Sequence, residues 1–468
     1  MILDSLFIIE VLTKKENKMI PVLDSRRVYI YSNNVFLYLR DNKSIIVSND
    51  GWEILKHCDG TKTIDMIFNV LNVEYEISKE DIVKFINTAN SNNVVNFISD
   101  FKKNDIKIFG DNNLISPQIA SVEITERCNL ECIYCYGEFK RDKGVFLNID
   151  QIKLLFDDLS KTGVMAIELT GGEPLLHPNF KEILEIAINK FEKINILSNG
   201  VLFNNETINV IRKYKNKIAI QISIDGCSEE TNYKVRRVKN TFEKTLNTLE
   251  RLENIGIHYQ VVYMTTEENK HEIHAMFELF RQKKLKNLMI SKATPFGRAC
   301  DCKDCLITKN DNEVINTIVK VQKEYPDILS KRHYIQQHPG NVNNISKYSI
   351  DNCGTGWRAI SIAANGDVRS CLLLGKTGNM GNVFKQNIFN ILNSPKGNFY
   401  LNFSKKMDEE PCQLCSYKNY CAMCITRIYA ANIQRIKDGL DLCEIAKRNK
   451  MDECFDFNPD CINFKFEI

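Results

Sequence analysis

From residue 116 onward, short apolar runs at strand spacing alternate with stretches whose apolar positions recur every three to four residues, the mark of amphipathic helices. Runs at 119–125, 164–169, 194–197, 218–224, 259–264 and 287–291 read as strands. Stretches at 149–159, 180–191, 207–214, 242–254 and 271–283 read as helices, the first capped by Asn148. Strands alternating with helices predict a parallel sheet, and right-handed crossovers curl such a sheet. Six units suit an α/β fold built as an open, partial (β/α)6 barrel of TIM type.

The first hundred residues follow another pattern. Strand-like runs at 27–30, 35–40 and 44–48 are separated by turns at Asn33-Asn34 and Asp41-Asn42. Helical patterns follow at 51–58, 63–70 and 79–89, the last with Ser78 as its cap. Strands then helices predict a small winged-helix-like α+β domain over 20–100. Residues 102–116 are polar and read as a linker. The expected layout is 20–100, a barrel at 116–305, a bridging region at 306–350, a cysteine-rich domain at 351–445 and a tail at 446–468.

With 468 residues, 44% of them hydrophobic, the chain is too long for one ordinary domain. Lys and Arg number 62 against 59 Asp and Glu, which gives no electrostatic case for nucleic acid. No run approaches the length of a membrane span. The apolar start at 1–12 is short and carries Asp4 and Glu10, so it does not read as a secretory signal, and Met19 is an alternative start. Seventeen cysteines without an export signal point to bound metal in the reducing cytoplasm.

Three of those cysteines, Cys128, Cys132 and Cys135, follow the first barrel strand at spacing C-x3-C-x2-C. Three thiolates can hold three irons of a 4Fe–4S cluster and leave the fourth open to an organic ligand. A zinc site would want a fourth ligand, and none is nearby; a disulfide pair or buried structural thiols are the other readings. The loops after the next strands carry Thr170-Gly171-Gly172-Glu173-Pro174, then Ser198-Asn199-Gly200, then Ser223 with Asp225-Gly226. Active sites of parallel barrels are built from those loops, so four polar groups are expected at one mouth. A second array comprises Cys353, Cys371, Cys412, Cys415, Cys421, Cys424 and Cys443, with zinc knuckles as the alternative to clusters. Cys300, Cys302 and Cys305 read as free thiols, with an extra metal as the alternative. Cys454 and Cys461 are spare candidates, Cys58 and Cys227 ordinary small residues, and His271 and His274 a solvated helix face. No catalytic base is nominated.

The first cysteine stretch, with Tyr134 before its last cysteine, resembles the cluster motif of the radical SAM (S-adenosylmethionine) enzymes. Gly171-Gly172-Glu173-Pro174 resembles that family's strip for the amino group of SAM. The resemblance implies Ser198, Asn199, Ser223 or Asp225 at the ribose and Tyr134 near the adenine. It implies Arg236, in an R-x5-F pattern with Phe242, at the carboxylate, for which a guanidinium is suited; Arg237 leaves that choice open. The second array resembles the SPASM extension, although the usual final C-x3-C is C-x2-C here. It implies one auxiliary cluster on Cys353, Cys371 and Cys424 and another on Cys412, Cys415, Cys421 and Cys443.

Residues 20–100 are similar to the recognition domain of enzymes that modify ribosomally made peptides (RiPPs), which takes a leader peptide as an added strand. A DNA-binding winged helix or a packing appendage are the bland alternatives, and no strongly basic helix supports DNA. Over 20–445 the layout resembles the sactipeptide synthases, on Glu126-Arg127-Cys128-Asn129-Leu130, on Asn352-Cys353-Gly354 with Gly356-Trp357, and on Cys443-Glu444-Ile445-Ala446-Lys447. That implies reductive cleavage of SAM to a 5′-deoxyadenosyl radical and hydrogen abstraction from a precursor peptide. A bond from cysteine sulfur to an α-carbon then forms, with flavodoxin or ferredoxin as electron donor. Other outcomes stay open within the class: β- or γ-thioethers, carbon–carbon crosslinks, epimerisation, or sulfatase-type protein maturation. A non-enzymatic iron–sulfur or zinc scaffold is the reading from a different class.

Overall fold

The computed structural model describes residues 19–31, 34–41, 43–111, 114–137, 139–294, 296–300, 302, 305, 311–330, 354–403, 414 and 424–457. It divides into two compact units, 1–116 and 117–468.

In the first unit the strands are β1 (Ile20–Leu23), β2 (Ser25–Tyr31), β3 (Asn34–Leu39), β4 (Ser44–Val47), β5 (Val95–Ile98) and β6 (Lys107–Phe109). One sheet has the order β4-β3-β2-β6, and β1 pairs separately with β5. Three helices lie between β4 and β5: Asn49–Leu55, Ile64–Leu71 and Lys79–Ser91. Each starts at a hydroxyl cap: Ser48, Thr63 and Ser78 accept from the backbone N–H of Gly51, Met66 and Asp81. Their apolar faces meet the sheet in one core that includes Val28, Leu37, Trp52, Ile64, Ile82 and Ile86. The turn residues Asn33 and Asn42 lie outside the described residues. The expected linker at 102–116 is not wholly a linker, because Lys107–Phe109 pairs parallel with β2. A free strand edge is covered this way, by a segment of three residues, too short to announce itself as a strand.

The second unit holds the partial barrel. β7 (Ile119–Thr125), β8 (Ala166–Gly171), β9 (Lys193–Ser198), β10 (Ile218–Ser223), β11 (His258–Thr265) and β12 (Leu288–Lys292) lie side by side in sequence order, every pair parallel. Helices Ile149–Lys161, Phe180–Lys190, Asn205–Lys213, Phe242–Ile255 and Ile273–Gln282 form the crossovers. Asn148 starts the first with a full capping box shared with Gln151. A further helix, Glu229–Arg236, has no apolar stripe to betray it; it buries Thr231, Asn232 and Arg236 beside Val235.

Strand burial separates the two faces. On β10, Ile218, Ile220 and Ile222 are buried beneath the helices, while Ala219, Gln221 and Ser223 alternate with them at partial exposure. The sheet does not end at β7. Strand β13 (Ala359–Ile362) pairs parallel with β7, and β14 (Asp367–Arg369) and β15 (Asn379–Asn382) continue antiparallel. No helix among the described residues is long and apolar enough to cross a membrane.

Ile222→Ala should therefore destabilise the second unit by ~2–5 kcal/mol, through lost burial and a cavity. Gln221→Ala one position away should cost about 0.5 kcal/mol or less. Denaturant unfolding followed by circular dichroism separates the two.

Candidate active site

The loop after β7 carries Cys128, Cys132 and Cys135, and two backbone ladders hold it. On one side Glu131 and Ile133 donate their N–H groups to the carbonyls of Arg236 and Val235. On the other, Gly172 donates to the Thr125 carbonyl at 2.9 Å and Glu173 to the Arg127 carbonyl at 2.8 Å. That second contact explains the glycines. A Cβ on Gly171 would sit 2.1 Å from the Thr125 oxygen, and one on Gly172 would sit 2.2 Å from the Arg127 oxygen. Arg298 clamps the loop from a third side: its Nε donates to the Cys132 carbonyl, its Nη1 to the Phe139 carbonyl and its N–H to the Cys135 carbonyl.

A cavity of about 530 Å³ opens above this loop. Cys128, Cys132 and Cys135 line it, with Tyr134, Gly171, Gly172, Ser198, Asn199, Ser223 and Arg236. Three expected site residues do not line it: Glu173, Pro174 and Asp225. Glu173 is fully buried, and its carboxylate accepts from Ser198 Oγ at 2.8 Å, the Asn199 N–H at 2.8 Å and the Leu175 N–H at 3.2 Å. It is a brace between two loops. Pro174 opens the short 3-10 turn Pro174–Leu176 behind it. Asp225 is likewise spent inside the protein. Its Oδ2 accepts from Tyr134 at 2.6 Å and Arg236 Nε at 2.8 Å, and its Oδ1 from the Met264 N–H at 3.1 Å.

The structure decides between the two neighbouring arginines. Arg236 is 1% exposed and lines the cavity, whereas Arg237 is exposed, with left-handed backbone at the helix end. Arg236 gives Nε to Asp225 and Nη1 to the Asn199 carbonyl, and its Nη2 is buried with no partner among the described residues.

From the second array, Cys371 lines the same cavity. Cys424 and Cys443 begin the helices Ile425–Lys437 and Glu444–Arg448. Asn432 donates to the Cys443 sulfur at 3.3 Å and accepts from its N–H at 2.7 Å. Cys353, Cys412, Cys415, Cys421 and Cys461 lie outside the described residues. Cys302 and Cys305, expected as free thiols, form a disulfide beside the motif loop. Arg298 escaped the sequence reading; its signal is Phe296-Gly297-Arg298 just past the last barrel strand, where a Cβ on Gly297 would meet the Cys135 carbonyl at 2.3 Å.

The Radical SAM superfamily model matches residues 122–280, and the model for SPASM, an iron-sulfur cluster-binding domain, matches 353–424. The chain is 29% identical over 432 residues to the antilisterial bacteriocin subtilosin biosynthesis protein AlbA of Bacillus subtilis (strain 168), covering 89% of this chain and 93% of that protein. It is 27% identical over 257 residues to the sporulation killing factor maturation protein SkfB of the same strain, covering 55% and 60%. Streptococcus suis SuiB, solved bound to precursor peptide SuiA, shares the fold with a TM-score of 0.64 at 14% identity, covering 91% of this chain and 99% of that one.

Such domains imply 4Fe–4S clusters and S-adenosylmethionine. The donor set fits. Three soft thiols face one cavity with an unpartnered guanidinium nitrogen on its wall. Among the described residues no three His, Cys, Asp or Glu side chains are already gathered around a metal-sized point. Burial pushes the Cys128 thiol up to about 12 and raises Cys132 further, so it is the metal's charge that would make them thiolates.

Burial also raises the Glu173 carboxyl to about 7, against the pull of its three donors. A carboxyl raised in the folded state holds its proton where the unfolded chain has lost it, so stability falls as pH rises from 4.5 to about 7. Glu173→Gln should flatten that fall, as read from thermal midpoints across the window.

Proposed function

We propose, for a chain that carries a radical SAM domain followed by a SPASM domain, that it matures a ribosomally made peptide by joining cysteine sulfur to an α-carbon. The observation that carries this reading is that Cys371 of the SPASM segment and the three motif cysteines line one cavity. A centre held by Cys371 would stand within the same chamber as the substrate radical, placed to take its second electron. Similarity along 93% of a bacteriocin biosynthesis protein supports a peptide substrate.

In this reading Cys128, Cys132 and Cys135 hold three irons of the SAM-binding cluster. Cys353, Cys371 and Cys424 would hold one auxiliary cluster, and Cys412, Cys415, Cys421 and Cys443 the other. When bound, these groups supply an electron to SAM and, from its cleavage, a 5′-deoxyadenosyl radical. The chain's own residues do the positioning. Arg236 lines the cavity, and its guanidinium would be the partner for the SAM carboxylate. Asp225 and Tyr134 keep that guanidinium and the cysteine loop in one orientation. The backbone at Gly171 and Gly172 and the hydroxyl of Ser223 face the cavity for the amino group and ribose. Leu130, Leu197, Val262 and Met264 supply apolar wall that keeps water from a radical.

The first unit, with its leader-recognition role over 20–100, would take the leader as a strand added at β4, because β6 already occupies the β2 edge. Ile45 and Val47 pack towards the core, which fixes the register of that edge. An electron donor of the flavodoxin or ferredoxin kind completes the cycle.

Two experiments test this. Reduced anaerobically with SAM and the cysteine-containing precursor peptide encoded beside it, the enzyme should yield a product about 2 Da lighter per crosslink, the mass of two hydrogens. Serine at 128, 132 or 135 should abolish 5′-deoxyadenosine release; cleaved SAM with unchanged peptide mass would sink the thioether reading. For the leader, successive N–H groups on β4 point to opposite sides. Of Ile45→Pro and Ile46→Pro, the one whose N–H faces away from β3 should weaken leader binding by about tenfold or more with the fold intact. Equal binding by both would rule out strand addition here.

A further inference from the structure

A second cavity, of about 710 Å³, adjoins the first and shares Tyr136, Phe139 and Leu373 with it. Its lining includes a buried group with no part in holding the clusters or SAM. Glu123, on β7, is 1% exposed. Arg369, the last residue of β14, approaches it with Nη1 at 3.3 Å, and the Tyr136 hydroxyl donates to the same carboxylate at 3.3 Å. These three side chains join the first barrel strand, the cysteine loop and the C-terminal extension of the sheet at the junction of the two cavities.

One atom of this group is unsatisfied. Arg369 Nε is buried and has no partner among the described residues, although the side chain lines the second cavity. An unpaired charged donor is costly to bury, so the Glu123 carboxylate does not exhaust what this guanidinium can bind. A peptide presents a carbonyl acceptor at every residue. The exposed lining of the cavity carries Lys140, Lys143 and Lys376 against Glu126, a net positive charge that favours a neutral or acidic occupant over a lysine-rich one.

We propose that the second cavity seats the core segment of the peptide as it runs to the first, and that Arg369, whose side chain keeps 12% exposure, positions it by donating from its guanidinium to a backbone carbonyl. This rests on the peptide-maturase reading for the identity of the occupant. It adds a binding site and a positioning residue outside the cysteine and SAM machinery.

The test uses the full-length enzyme and the leaderless core segment of the same precursor peptide, labelled with fluorescein and followed by anisotropy. Arg369→Gln should weaken core binding tenfold or more. A purely structural Arg369 would act by neutralising Glu123, so adding Glu123→Gln would then restore binding. If Arg369 grips the peptide, the double variant stays as weak as the single one. A core peptide with lysines in place of its acidic or neutral residues should bind the wild-type enzyme more weakly. Undiminished binding by Arg369→Gln, rescue in the double variant, or no binding by the wild type would each overturn the proposal. The two readings fail separately. A wild type that binds the core without removing two hydrogens defeats the thioether reading alone, and one that makes the crosslink while Arg369→Gln binds normally defeats this one alone.

Discussion

The buried pair Asp225–Arg236 ties the cysteine loop to the barrel. Its side chains are 0% and 1% exposed, and each is used more than once. Asp225 collects Tyr134 from the cysteine loop, Arg236 from the helix Glu229–Arg236 and the Met264 N–H from β11. Arg236 passes the connection on, through Nη1 to Asn199 beyond β9 and through its carbonyl to Glu131 in the loop. A buried ion pair is weak evidence of net stability, but removing one partner leaves an uncompensated charge and costs ~3–5 kcal/mol. The pair thus acts as a geometric constraint. It ties the loop to the barrel, and Arg236 lines the cavity with its Nη2 unpartnered among the described residues.

The same economy appears at Glu173, where a carboxylate that could meet a ligand is instead consumed by Ser198, Asn199 and Leu175. The polar residues at the barrel mouth form two layers. An inner layer of Asp225, Glu173 and Asn232 positions loops, and the outer layer of Cys128, Cys132, Cys135, Ser223 and Arg236 is what a ligand would meet. Arg298 lines the cavity but also positions the loop, since its three bonds among the described residues go to carbonyls of the loop or its continuation.

Continuity of the sheet is what brings the C-terminal segment to this mouth. Ile360 and Ser361 of β13 register with Ala120 and Ser121 of β7, so the chain returns beside its own first barrel strand. β14 then runs back antiparallel and delivers Arg369 to Glu123 and Cys371 to the cavity. A C-terminal module joined only by a linker would leave the distance between Cys371 and the first three cysteines undefined. A shared sheet defines it.

By itself the sequence determined the order of barrel strands and helices, because apolar spacing is a local property. It determined the C-x3-C-x2-C loop after the first strand, because spacing within eight residues survives any fold. It also determined that Gly171 and Gly172 are small for a reason. The tertiary structure alone decided which polar residues face the cavity. Glu173 and Asp225 look like ligand groups in sequence, and partners distant along the chain, Ser198 for one and Met264 for the other, help to turn them inward. It chose Arg236 over Arg237: the helix buries the first, and the second ends it in left-handed backbone and stays exposed. It hid the helix Glu229–Arg236, whose buried face is largely polar, and the strand β6, three residues long and fixed by its pairing with β2. And it set β13 beside β7, a pairing between segments more than two hundred residues apart that no local pattern encodes.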